Sequence, residues 1–548
     1  MSNGPAGRGG PGRLPGTKAS TRHNIAGAAF ILMVSLVLSR LTGYFRQMLI
    51  PARFGLGDLS DAYFLGFQIP DLMYQLLVGG SILAALTPFL AGSIERGEEG
   101  KGWRSVSIFI NYTMLLMVGA VAIGEASIGW LLPLIAGPRS ALVVSLSIEV
   151  ARVLFPSVVF IMLAGLCIGI LNSYRRFSAS AWGPTFYNLG CMAALVLLGH
   201  PDSSAVVKVS GGILLSAAAY FVLQFFLARR EFAHYVPSLD AKDPGFRRIV
   251  KTAIPTIFSA SIVQVNLIVL SAFAARFASG AVSAMNLAIT IWQLPYGIFA
   301  VAVGSAMLPS LSAKFAAGEH AEFRRMLTAS LRGALFLTIP SAVAILFLRE
   351  DLIRALFQWN TMMSHESVAM TAGVLAYYCI AIVSHTFVFL LNMTFYSMGK
   401  TRIPLLAGLI SLGSNLLLCF AFSTWTGLGV AGMSFAYSIS SVLSAFVLFL
   451  WLKRRHPHNS PRSLTPFLVK SGLAALATAG ALALVDLVPL SPAGKVGQFL
   501  WIGVRIAVAA GVYLGLAAAL GLPEFHSSLD RILRRFAGKS TKRAEIDG

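Results

Sequence analysis

Windows of about 20 apolar residues, each long enough to cross a hydrocarbon core of about 30 Å as a helix, recur along the whole of this chain. No water-soluble core accommodates so many, because a helix that is apolar on every side must be buried or lie in lipid. The spans fall near 25–50, 61–90, 106–134, 148–171, 181–199, 209–228, 250–272, 281–310, 328–348, 374–397, 403–423, 428–452, 466–488 and 498–521. The expected fold class is therefore an all-α polytopic membrane protein with 14 transmembrane helices. Composition agrees: only 12% of the 548 residues are charged, against roughly 25% in ordinary soluble domains.

The net charge of +21 first suggests nucleic acid. The basic residues, however, alternate loop by loop and do not gather on one face, so no nucleic-acid partner is expected. With the amino terminus inside, 29 Lys and Arg of the loops and tails fall on the inner side and 7 on the outer, the bias of cytoplasmic segments. Both termini are thus expected in the cytoplasm. Residues 1–24 form a Gly/Pro-rich basic leader expected to be disordered, and the first span is too long and too charged for a cleaved signal.

An internal repeat organises the spans. "ARFGLGDLSDAYF" from Ala52 returns as "ARFASGAVSAMNL" from Ala275, 223 residues later. Each copy runs on to a Pro, a Gly-Ser pair and a second Pro: Pro70, Gly80, Ser81 and Pro88, then Pro295, Gly304, Ser305 and Pro309. A weaker echo sets "LNSYRRFSASAWGP" (171–184) against "MTFYSMGKTRIPLL" (393–406). Six helices per copy give both halves the same orientation, so two parallel lobes are expected to face a central cavity. They are an N-lobe over 25–228 and a C-lobe over 250–452, joined by a cytoplasmic linker at 229–249. The helices within 466–521 stand outside the repeat, before a basic tail at 522–548. Pro70 and Pro295 each remove a backbone hydrogen bond in mid-membrane, and their matched places suggest gating hinges, packing kinks being the alternative.

The stretch "SRLTGYFRQMLIPARFGLGDLSDAYF" (39–64) carries the charges that matter most. A helix starting near Ile25 puts Arg40 roughly 22 Å in and Arg46 roughly 31 Å in, at about 1.5 Å per residue. Arg46 can then reach the surface, whereas Arg40 needs a watery cavity or a partner charge. Asp61, opening the second helix, is placed near Arg46 and within ion-pair reach, and Asp71 lies deeper on the same helix. Cys167, Cys191, Cys379 and Cys419 have no paired spacing and read as core packing, as does His385. Neither a metal motif nor a catalytic one appears, and "FAGKST" (536–541) lacks the first Gly of a phosphate loop, so no cofactor and no enzymatic step are expected.

The runs "SRLTGYFRQ", "FGLGDLSDAYFLGFQIPDL", "LNSYRRFSASAWGPTFYN" and "AVGSAMLPSLSAKFAAGEH" resemble the MurJ/MviN family of bacterial lipid II flippases, within the multidrug, oligosaccharidyl-lipid and polysaccharide exporter superfamily. The resemblance implies lipid II, an undecaprenyl-diphosphate disaccharide peptide, as substrate. It also implies membrane lipids and cell-wall synthesis proteins as partners, the bacterial inner membrane as location, and a lipid groove at the last two helices. Carried over by position, the family's cavity arginines of the first helix fall on Arg40 and Arg46, and its acid at the start of the second on Asp61. Two further cavity arginines fall on Tyr74 and Thr290; Gln75 and Gly79 replace an Arg and a Glu, and Gln47 replaces an acid. The chain therefore resembles a divergent member. A related lipid-linked surface glycan and a scaffold that moves no lipid are the alternative readings.

The chemistry of the cations fits an anionic cargo. Guanidinium forks in a low-dielectric cavity suit a diphosphate, whereas a cationic drug would want carboxylates there. Without a nucleotide motif, an inside-negative membrane potential, worth about 2.3 kcal/mol per charge per 100 mV, would drive an anion outward.

Overall fold

A computed structural model of the chain describes residues 17–77, 81–461, 464–488 and 494–525. Among them there is no strand. In chain order the helices are α1 (Thr17–Phe54), α2 (Asp58–Leu77), α3 (Ser81–Glu95), α4 (Glu99–Ala136), α5 (Ala141–Ser173), α6 (Phe177–Ala181), α7 (Gly183–Leu198) and α8 (Ser203–Ala228). They continue with α9 (Pro244–Ala274), α10 (Ala281–Pro295), α11 (Ala302–Ala316), α12 (His320–Phe357), α13 (His365–Ser397) and α14 (Arg402–Trp425). The last are α15 (Ala431–Arg455), α16 (Leu464–Asp486) and α17 (Gly494–Ala519).

Eleven helical segments of the described residues are long and apolar enough to cross a membrane, α6 with α7 and α10 with α11 each counting as one. The other three expected spans coincide with α1, with α2 plus α3, and with α9. Boundaries differ where sequence offered a weaker stop than supposed. Helix α1 starts at Thr17, inside the expected leader, because "TKASTRHN" follows the last Pro and Gly of that segment and contains neither. Helix α9 starts inside the expected linker, where Asp243 caps it by accepting the Phe246 N–H at 2.7 Å and Pro244 occupies the first turn. Most of the leader (1–16), most of the tail (526–548), and Gly79 and Gly80 lie outside the described residues.

Packing groups the helices into two bundles. Helices α1 to α8 form one bundle and α10 to α15 a second; α9 touches both. One continuous core runs through both bundles, from Leu154, Phe155 and Val209 in the first to Tyr378, Ile382 and Met433 in the second. Helices α16 and α17 pair with each other and lean on α12. Arg505 of α17, 4% exposed, donates to Asp351 of α12 and to Asp486 of α16, so one guanidinium fork ties three helices together. A buried cation is tolerable there because both carboxylates face it.

The segment between the lobes is strapped along α4. Asn111 donates to the Ser238 carbonyl at 2.9 Å, Tyr112 to that of Leu239 at 2.9 Å, and Ser105 to Asp243 at 2.6 Å. These bonds fix where α9 leaves the first lobe.

Candidate functional site: a lobe latch and a cationic cavity

The two copies of the repeat meet face to face at the end of the bundle that carries the α1–α2 and α9–α10 turns. Helix α10 begins after Gly280, whose φ of +87° suits a residue without a Cβ and which has no side chain to cap the free amides of the first turn. Asp61 of the opposite lobe supplies that cap. Its carboxylate accepts the Gly280 N–H at 2.9 Å, the Ser283 N–H at 2.8 Å and the Ser283 hydroxyl at 2.6 Å. Arg139, from the α4–α5 turn, donates to the same carboxylate at 2.7 Å and to the Ala278 carbonyl at 3.0 Å.

Asp61 is fully buried, and the Arg139 side chain is 7% exposed. A buried carboxylate with four donors, one of them a cation, at the positive end of a helix is held by charge-assisted bonds. Ser60 and Ser283, which occupy the same place in the two repeats, hydrogen bond to each other at 2.8 Å. The local two-fold relation between the lobes therefore passes through this contact. Around it, Asn360 donates to the Ala52 carbonyl at 2.7 Å, and Ser279 donates to Asp58.

Below the latch, α1, α2, α5, α7 and α8 enclose a cavity of about 260 Å³. Arg46, Asp71, Tyr74, Gln75, Tyr187 and Asn188 supply its polar wall. The Arg46 guanidinium stands 6.0 Å from the centroid of the Tyr187 ring, and its Nε is shielded from solvent without a hydrogen-bond partner. Asp71 accepts from Gln264 of α9 at 3.3 Å, so the cavity floor is tied to the helix that joins both lobes.

The expected residues thus separate into groups. Arg46, Asp71, Tyr74 and Pro70 come together in the cavity. Arg40 does not line it; exposed on α1, it points across at the second lobe, and a Cβ added to Gly297 would lie 3.0 Å from its Nη1. The ion pair between Arg46 and Asp61 does not form. Helix α1 runs to Phe54, leaving Arg46 eight residues, about 12 Å, below the turn, while Asp61 sits in the first turn of α2. Arg139 takes the place that sequence assigned to Arg46. Thr290 gives its hydroxyl to the Asn286 carbonyl at 3.0 Å and lines neither cavity described here.

The two prolines also differ. Helix α2 continues through Pro70, but Pro295 ends α10 and is followed by a π-helical turn, Tyr296–Val301, before α11. A π turn next to a proline is a place where a helix bends. Arg40 faces Gly297 within this turn.

A second cavity, about 360 Å³, lies inside the other lobe and is lined by Trp292, Tyr296, His385, Asn392 and Tyr437 among others, with no formally charged side chain. His385 stacks on Tyr437 at 5.0 Å between centroids and its Nε2 has no partner, so the imidazole serves the aromatic wall. Arg139, Gln264, Tyr187 and this neutral cavity were not singled out from sequence. Only Arg139 left a trace there, as a cation beside the Gly-Pro pair of a short turn.

Known proteins carry the same architecture. The family model described as lipid II flippase MurJ matches residues 50–505. A lipid II flippase MurJ of Burkholderia cenocepacia is 28% identical over 457 residues, covering 81% of this chain and 87% of that protein. A probable lipid II flippase MurJ of Rhizobium meliloti is 27% identical over 522 residues, covering 93% and 96%. A solved lipid II flippase MurJ in an inward closed conformation matches with a TM-score of 0.74 at 23% identity, over 89% of this chain and 98% of that one. An inward-facing multidrug resistance MATE transporter of the MOP superfamily matches at 0.65 and 16% identity, over 77% and 98%.

Proposed function

Because the chain belongs to the lipid II flippase MurJ family, we propose that it carries lipid II from the inner to the outer leaflet of the cytoplasmic membrane by alternating access of its two lobes, with both termini in the cytoplasm. The protein is an integral membrane transporter, not an enzyme. Fourteen crossings put the latch of Asp61, Arg139 and the α10 amides on the outer side, where it closes the path between the lobes. Arg46 binds the diphosphate. Arg40, lower on the same helix and facing the π turn of the other lobe, meets the same headgroup as it passes between the lobes, and Pro295 is the hinge that lets the wall opposite Arg40 move.

One observation carries the reading. Arg46 is a guanidinium lining a cavity within the bundle, its Nε unpartnered and no carboxylate within ion-pair distance among the described residues. A cation in that setting is costly unless an anion visits it. The diphosphate is such an anion, and its bidentate match to a guanidinium exceeds what an ammonium offers. Asp71, across the cavity, keeps the site from holding the anion too tightly for release. The uncharged aromatic wall of the second cavity suits the neutral glycan, since ring faces with a few amide groups are a common lining for such ligands. An inside-negative potential drives the anionic headgroup outward.

The test is flipping of a fluorescent undecaprenyl-diphosphate glycan in vesicles, with protein levels matched. Arg46→Ala is expected to abolish flipping while the protein still inserts. Wild-type rates from that variant would overturn the assignment.

A further inference from the structure

The two cavities occupy equivalent places in the two halves of the chain. The first is walled by the first, second, fourth, fifth and sixth crossings of its half, α1, α2, α5, α7 and α8, and the second by the matching crossings of the other half, α9, α10, α13, α14 and α15. Asp71 follows Pro70 on the wall of one as Tyr296 follows Pro295 on the wall of the other. Their chemistry differs. Where the first cavity holds a guanidinium and a carboxylate, the second holds rings and amides.

Three polar atoms on the wall of the second cavity are shielded from solvent and have no hydrogen-bond partner among the described residues: Trp292 Nε1, His385 Nε2 and Asn392 Oδ1. Trp292 is 3% exposed, and its indole is boxed by the rings of Tyr296, Tyr378, His385 and Tyr437 at 5.2 to 6.1 Å between centroids. His385 and Asn392 are seven residues apart on α13 and so share one face of that helix. Buried polar atoms are nearly always paired, so three orphans in one cavity point to an absent partner.

Their chemistry defines that partner. The indole N–H only donates and the Asn392 carbonyl oxygen only accepts, so the occupant must carry acceptors and donors together. An acyl chain would cover the rings and leave all three atoms unpaired. A cation suits ring faces but offers the indole N–H no acceptor, and an anion finds no formal charge here to hold it. A neutral sugar meets every condition. Its hydroxyls both donate and accept, and the C–H face of its ring packs against an aromatic face.

We propose that the second cavity selects the cargo, favouring a polyprenyl diphosphate that carries a sugar over the bare carrier, with Trp292, His385 and Asn392 as the residues that read the sugar. The inference rests on the transport reading above and adds a selection step to it. Arg46 cannot make this distinction, because both lipids bring the same diphosphate. A site built around hydrogen-bonding groups discriminates against a ligand that lacks their partners, since the buried atoms then stay unpaired. Its place also lets selection act on movement: Trp292 lies one turn before Pro295 and Tyr296 opens the π turn just after it, so a sugar against these rings bears on the hinge.

Three lipids would be compared on the full chain by native mass spectrometry: undecaprenyl diphosphate, the same carrier with a neutral disaccharide, and the disaccharide carrier with its peptide. The wild type should bind the disaccharide lipid more tightly than the bare carrier by about tenfold or more. Trp292→Phe keeps a ring and removes the N–H, and Asn392→Leu keeps the volume and removes the acceptor. Each should cut the preference about fivefold, the scale of one hydrogen bond, and the two together should bring it to within about twofold of unity. The preference is a ratio within one protein, so a loss of folded material common to both lipids cancels.

A wild type that binds the bare carrier as tightly as the disaccharide lipid would overturn the proposal, as would a preference left intact in both variants. A preference that arises only with the peptide attached would overturn it in favour of the peptide as the occupant. Arg46→Ala separates the selection from the reading on which it rests, because it should weaken all three lipids alike and leave the preference in place. Bare-carrier binding that survives Arg46→Ala would sink the diphosphate assignment and not the selection; a missing preference in a protein that needs Arg46 would sink the selection alone.

Discussion

Asp61→Ala should unlatch the lobes. The carboxylate accepts two backbone amides, a hydroxyl and the Arg139 guanidinium, and all four donors belong to the second lobe or to the α4–α5 turn. Removal leaves Arg139 buried beside uncapped amides of α10. Breaking a buried ion pair from one side costs about 3–5 kcal/mol, and a lost helix cap about 0.5–2 kcal/mol. The two overlap, because Asp61 is both partner and cap, so the larger figure is the safer total. At 1.4 kcal/mol per tenfold, the closed form should lose roughly two to three and a half decades of population relative to the open one. Asp61→Asn keeps the shape and an acceptor oxygen but not the charge, and should shift the balance by less. Spin labels at Leu142 and Ala278, one on each side of the junction, would report the separation in nanodiscs by electron-electron double resonance. A longer distance should dominate in Asp61→Ala and appear as a minor population in Asp61→Asn. An Asp61→Ala protein with the wild-type distance distribution would refute the latch, and with it the view that this contact decides which side is open.

The remaining predictions concern the cavity, the hinge and the topology. Arg46→Lys should retain part of the flipping rate, since the charge stays but the planar fork does not. Arg40→Ala should slow flipping by less than Arg46→Ala, because Arg40 lies outside the cavity beside Gly297, and equal losses would make the two arginines one site. Pro295→Ala should favour a regular α10–α11 helix over the π turn and slow transport while leaving binding of the diphosphate lipid nearly unchanged. Binding that falls in parallel would identify the proline as packing. A reporter fused after Arg176 should read cytoplasmic and one at Asn360 external, and the opposite pattern would reverse the latch to the inner side.

Much of this was legible because apolar spans and repeats are properties of the chain itself. Two lobes with a shared local axis follow from the match of Ala52–Phe64 to Ala275–Leu287, and the Ser60 to Ser283 contact joins equivalent positions of that match. The importance of Asp61 was legible too, as an acid at the opening of an apolar helix. Its partner was not. Sequence distance favours Arg46, fifteen residues away, whereas the fold brings Arg139 across 78 residues, because the α4–α5 turn lands on the junction. The difference has a physical source: a helix starting near Ile25 would bring Arg46 to the outer surface, whereas α1 begins at Thr17 and ends at Phe54. Counting back from that outer end places Arg46 two turns below the turn, and the same correction turns it from an outer-surface residue into the cation of the cavity.

The positions Tyr74 and Thr290, where an arginine would be expected from the family resemblance, also part company in three dimensions. Tyr74 stays on the wall of the cationic cavity, close to Asp71, while Thr290 hydrogen bonds within its own helix. Loss of an arginine at the first position therefore removes positive charge beside Arg46; loss at the second removes it from the opposite lobe, whose cavity is uncharged throughout. The cationic contacts that remain are concentrated on α1. On the proposed reading, a headgroup diphosphate has one strong anchor, Arg46, and a second, Arg40, that it reaches only when the π turn of the other lobe moves. Binding and lobe movement are then coupled through α1, which is why the two arginines of a single helix are expected to fail differently when each is removed.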